Sequence, residues 1–255
     1  MGLAQGSKDV LAYSEFYSQP KLGFQTIESD RYGAFYYVPP DYTPEKEWPL
    51  VVVLVSDEGA KGKVAIETWL SEIKKQNVIA LFITYLEPRD VPFVLDVRML
   101  KRVREFESLF QVDRRRVLLT GFGSAAHYAF YLVVRYSDYF SAAALVAGTP
   151  EGFLNPYLMA GDENGKSKHY LIVAGDQDKT LNRERLSVVR YEFETNGYRL
   201  EMKELKGLGH QVQPEYSKEA LNWFLGLPAP EVVPSNASWS PINYLPSFVR
   251  GIFKN

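Results

Sequence analysis

Leu50-Val51-Val52-Val53-Leu54-Val55 is an unbroken aliphatic, mostly β-branched run. A strand with one wet face would alternate; a run with no polar member needs apolar cover on both faces, as in the interior of a parallel sheet. Parallel neighbours cannot be joined by hairpins and need long crossovers, usually helical. The sequence after Leu50 supplies them. Val64–Gln76 is amphipathic, Val78–Tyr85 reads as a strand, and Phe93–Phe110 has apolar residues at helical spacing. Arg116–Thr120, Ala142–Ala147, His169–Ala174 and Leu200–Leu205 read as further strands. Ser124–Tyr136 and Leu181–Asn196 are the intervening helices, and Glu219–Leu225 belongs to a last one. Before the run, Phe24–Glu28 and Ala34–Val38 flank a polar turn at Ser29–Gly33 and predict a hairpin. The expected fold class is α/β: a doubly wound, mostly parallel sheet with right-handed crossovers, opened by an antiparallel N-terminal hairpin.

A chain of 255 residues suits one such domain. We expect it to end near residue 226 and to be followed by a Pro-rich tail over 227–255. That tail carries Pro228, Pro230, Pro234, Pro241 and Pro246, but also Ile242, Tyr244, Leu245, Phe248, Val249, Ile252 and Phe253. Its apolar residues fit either a strap packed along the domain or a docking segment for a protein partner or membrane surface. The formal charge of −2 is too near neutral to point to nucleic acid as a partner. With no cysteine there is no thiolate chemistry. No transmembrane run is seen, and residues 1–22 hold no apolar stretch of signal-peptide length. The compartment stays open between the cytoplasm and export with the signal removed.

The chemistry is expected just after the Arg116 strand, at Gly121-Phe122-Gly123-Ser124-Ala125-Ala126-His127. A strand, a sharp turn between small residues and a helix form the setting of a nucleophile elbow. Here the chain resembles the α/β-hydrolase superfamily, in particular its feruloyl-esterase-like and polyhydroxybutyrate-depolymerase-like esterases, over roughly Tyr32 to Leu225. The phrases that carry the resemblance are Tyr37-Val38-Pro39-Pro40-Asp41-Tyr42, Val112-Asp113-Arg114-Arg115-Arg116-Val117, Leu119-Thr120-Gly121-Phe122 and Gly207-Leu208-Gly209-His210. In those enzymes Leu-Thr-Gly-Phe precedes the nucleophilic serine directly. In register, that position is Gly123, and Ala125 stands where the motif's last glycine would be. Ser124 serves as nucleophile only if the elbow shifts by one residue, which puts bulky Phe122 where a small residue belongs. Otherwise Ser124 is a helix-start serine satisfying a free backbone N–H.

The resemblance also implies the order nucleophile, acid, base. Gly175-Asp176-Gln177-Asp178 matches the family's Gly-x-x-Asp, making Asp178 the acid, and Gly207-Leu208-Gly209-His210 makes His210 the base. Of the other two histidines, His127 is expected to pack on the helix after the elbow and His169 to open a strand structurally. The family has His-Gly after the Leu50 strand, giving an oxyanion-hole N–H; here stand Val55-Ser56-Asp57-Glu58-Gly59. Val55, Ser56 and Ser124 mark the oxyanion region, and two nearby carboxylates would oppose a developing anion. No metal set, P-loop or dinucleotide fingerprint appears, so no cofactor is expected. The aromatic residues of Tyr128–Phe140 are read as packing rather than a ligand cage. The expectation is therefore a catalytically degenerate, esterase-like homologue that binds a small ester-like or aromatic ligand or a protein. The alternatives are an active serine carboxylesterase working through Ser124, and non-covalent general-base chemistry by the His210–Asp178 pair.

Overall fold

A computed structural model describes residues 21–27, 33–56, 60–85, 92–150, 163–181 and 183–228. Eight strands form one sheet: β1 (Gly23–Ile27), β2 (Ala34–Val38), β3 (Trp48–Ser56), β4 (Ile79–Tyr85), β5 (Val112–Phe122), β6 (Ala142–Val146), β7 (His169–Gly175) and β8 (Arg199–Leu205). The described helices are α1 (Ala60–Ile73), α2 (Pro92–Leu109), α3 (Ser124–Arg135), α4 (Glu163–Lys166), α5 (Arg183–Thr195) and α6 (Pro214–Gly226). The spatial order is β1-β2-β4-β3-β5-β6-β7-β8. β1 pairs with β2, and β2 with β4, antiparallel; every other pairing is parallel.

The unbroken run of β3 is explained by where its residues go. Val52 and Leu54 face a layer that includes Leu100, Val103, Phe106, Leu132 and Phe193. Val51, Val53 and Val55 face the opposite layer, with Trp69, Ile73, Leu221 and Phe224. Helices α2, α3 and α5 thus cover one face and α1 and α6 the other. Burying each such side chain contributes about 1.5–3 kcal/mol.

The largest departures from the sequence reading are at the starts of three elements. β5 starts at Val112 rather than Arg116, because Trp48 pairs with Val112 across a register shift and Asp113 accepts hydrogen bonds from the Arg115 backbone N–H (3.1 Å) and Nε (2.9 Å). The polar stretch is therefore tied down as strand. α1 begins at Ala60, a turn ahead of Val64, with Gly62 in its buried face. α6 begins at Pro214, where a proline costs nothing because a first-turn N–H has no helical acceptor. The tail beyond residue 228 and the loop 57–59 lie outside the described residues.

Candidate active site

The turn between β5 and α3 is a single residue, Gly123, with φ 59° and ψ −119°. Such angles are costly for a residue with a Cβ and free for glycine. Its N–H donates to Val146 O at 2.9 Å, and its carbonyl accepts from Ala126 N at 3.1 Å. The helix start is wedged against the sheet. A Cβ on Gly148 would come within 2.4 Å of Gly123 O, and one on Gly121 within 2.7 Å of Ala125. The run of small residues around the turn is a packing requirement.

Two loops bring the predicted acid and base together. One follows β7, the other follows β8, and hydrogen bonds lace them together. Gln177 N donates to Leu208 O at 2.9 Å, Asp176 N to Leu205 O at 3.0 Å, and Gly207 N to the Asp176 carboxylate at 2.7 Å. The buried Tyr216 of α6 adds a hydrogen bond from its hydroxyl to Gly209 O at 2.9 Å. Its phenol is pushed up to about 12 by burial and by the Asp178 charge. Gly175 lies under the crossing: a Cβ there would meet Leu208 O at 2.0 Å.

Asp178 Oδ2 lies 2.8 Å from His210 Nδ1. The Asp178 side chain is fully buried, that of His210 40% exposed. Burial alone would raise the carboxyl's pKa. Hydrogen bonds from Thr180 and His210 outweigh it and hold the group below its ordinary value. Asp178 Oδ1 accepts from the Thr180 hydroxyl, from Thr180 N at 2.8 Å and from Leu181 N at 3.2 Å. Thr180 Oγ1 is also 2.8 Å from His210 Nδ1. Thr180 was not singled out in the sequence; its signal was its place two residues after the acid, where a threonine can bond back to an aspartate. Phe122 packs its ring on the imidazole, centroids 5.1 Å apart.

The opposite edge of the imidazole faces the elbow. Among the described residues apart from its chain neighbours, a Cβ built on Gly123 would meet only His210 Nε2, at 3.6 Å, and Cε1, at 4.0 Å, within 4 Å. Gly123, Asp178 and His210 therefore converge. Ser124 opens α3 on its exposed side and makes no hydrogen bond to His210. The cap of that helix is Gly123, which has no side chain, and the hydroxyl-to-backbone bond expected of Ser124 is not seen among the described residues.

Val55 is buried at the end of β3, paired with Thr84, and Ser56 pairs with Tyr85. Asp57 and Glu58 lie outside the described residues. His127 is half-buried on α3, its pKa lowered to about 4 by burial and by Arg185. His169 opens β7 and is likewise lowered, first by burial. One polar cluster had no sequence signal. Asp96 of α2, fully buried, accepts hydrogen bonds from the hydroxyls of Tyr128, Tyr131 (2.9 Å) and Tyr136 (2.8 Å). Part of the aromatic density read as packing thus also clamps α3 to α2. Among the described residues no group of His, Cys, Asp or Glu could hold a metal ion, and no helix is long and apolar enough to cross a membrane.

No protein-family model and no curated protein sequence matches the chain. Solved structures do. A dipeptidyl aminopeptidase IV-like protein of Bacteroides ovatus superposes with TM-score 0.59 at 16% identity, over 81% of this chain and 36% of that one. A thermostable esterase gives 0.57 at 18%, over 76% and 58%. This chain thus spans well under two thirds of the length of both. Esterase 2 of Thermogutta terrifontis gives 0.58 at 15%, over 82% and 96%. At such identities the likeness is one of architecture, and what this chain shares with all three is the α/β-hydrolase fold.

Proposed function

We propose that this protein is a catalytically degenerate, esterase-like hydrolase homologue whose site binds a small ester-like or aromatic ligand without cleaving it through a serine. The observation that carries the reading is Gly123: it occupies the strained turn, and the direction its Cβ would take points at His210 Nε2 from 3.6 Å. Asp178 would be the residual acid and His210 the residual base. The test is the initial rate on p-nitrophenyl butyrate beside His210→Ala. The two rates should coincide; turnover by the native chain that Ser124→Ala abolishes would establish the serine carboxylesterase alternative instead.

A second reading is supported by the hydrogen bonds of His210. Nδ1 is held by Asp178 and Thr180, which leaves Nε2 as a base for water or for a substrate proton. Under that reading, turnover falls with His210→Ala and survives Ser124→Ala.

A further inference from the structure

The hydrogen bonds around His210 fix which nitrogen carries its proton. The Asp178 carboxylate can only accept, so the proton between Asp178 Oδ2 and Nδ1 belongs to Nδ1. Thr180 gives its one hydroxyl proton to Asp178 Oδ1 and so can only accept from Nδ1. In the neutral ring Nε2 is then a bare acceptor, and it has no hydrogen-bond partner among the described residues. It faces Gly123, on which no side chain stands. A hydroxyl one bond beyond a Cβ at 3.6 Å from Nε2 would lie within hydrogen-bonding distance, about 2.7 Å. Among the described residues, and apart from the chain neighbours of Gly123, a hydroxymethyl group there would thus meet only the imidazole. The place offers one directed acceptor, with the half-buried Phe122 ring packed on the same imidazole.

We propose that the ligand itself supplies the missing hydroxyl: an alcohol seats its oxygen over the Gly123 Cα, donates its proton to His210 Nε2, and lays its alkyl part along Phe122. This rests on the degenerate-elbow reading above and names the chemical class that the site takes. An acceptor-only group meets a bare lone pair at this one position, so an ester-like or aromatic ligand engages Nε2 only through a hydroxyl that it also carries. Glycine matters twice, since it permits the turn and leaves the room.

The experiment follows the His210 Nε2 resonance by nitrogen NMR of histidine-labelled full-length protein in mildly alkaline buffer, with ethanol as probe and acetone as an acceptor-only control of similar size. Ethanol should give a saturable upfield shift of Nε2 and acetone none. In Gly123→Ser the resonance should already be displaced without ethanol, and ethanol should move it no further. An unmoved Nε2 under ethanol, or an equal response to acetone, overturns the proposal. If Gly123→Ser still displaces Nε2 in that case, the degenerate-elbow reading stands; an undisplaced Nε2 in Gly123→Ser overturns both.

Discussion

Gly123 is where conformation and chemistry meet. Its φ of 59° lies in the left-handed region, and among the described residues beyond its chain neighbours the imidazole is what a Cβ there would meet first. A Cβ at 3.6 Å is an ordinary van der Waals contact, so a side chain there is opposed by backbone strain and not by collision. Gly123→Ser and Gly123→Ala should each lower the unfolding free energy by about 1–3 kcal/mol in urea melts, and by similar amounts. A much larger loss for serine would mean that its hydroxyl finds no partner at Nε2. Asp178 gives a pH signature. Its folded pKa lies below the unfolded value of about 3.9, so the stability it contributes is present above that value and lost as pH falls through the folded pKa. The stability gap between native protein and Asp178→Asn should therefore narrow as the medium is acidified below about pH 4. A gap independent of pH would mean that the carboxylate's charge is not what the loop holds.

At the scale of elements, the site depends on two loops crossing at close range over Gly175. Gly175→Ala places a carbon 2.0 Å from Leu208 O and 2.5 Å from the Tyr216 hydroxyl. The expected result is destabilisation at or above the usual overpacking cost of about 1–3 kcal/mol, with loss of the downfield Nδ1 proton resonance of His210. The clamp between α2 and α3 is the other junction. Asp96→Ala strips three tyrosine hydroxyls of a buried acceptor, at about 1–3 kcal/mol for each one left unsatisfied. It should cost far more than Tyr131→Phe alone, as thermal melts would show. The aspartate is separated from its tyrosines by 32, 35 and 40 positions, so no local pattern announces it. The Asp178–His210 pairing has a comparable separation of 32. It was legible because Asp178 closes a Gly-x-x-Asp phrase after one strand and His210 ends a Gly-rich phrase after the next, in the order the resemblance implies. Thr180 had no such frame, since a threonine near an aspartate is ordinary in any loop.

For the whole molecule, the parallel sheet was legible because burial on both faces leaves uninterrupted apolar runs, as in β3 and in β6, all of whose residues are buried. β8 was the weaker case: it is a half-exposed edge, alternating between charged and apolar residues. Boundaries shifted at Asp113, where a polar residue found partners within the strand, and at Pro214, where a proline opens the helix. Residues 242–253 are apolar in composition, as either a strap on the domain or a docking segment requires. Truncation after Leu227 is expected to lower the melting temperature; an unchanged melting temperature with loss of a binding partner would assign the tail to docking instead. The central claim is that the nucleophile position of this fold is Gly123. Organophosphorus labelling, which marks an activated serine, followed by peptide mass spectrometry is the direct measurement. The account predicts no adduct on the native chain, one slow adduct on the new side chain of Gly123→Ser, and its loss when His210→Ala is added. An adduct on Ser124 of the native chain, absent in Ser124→Ala, would contradict it.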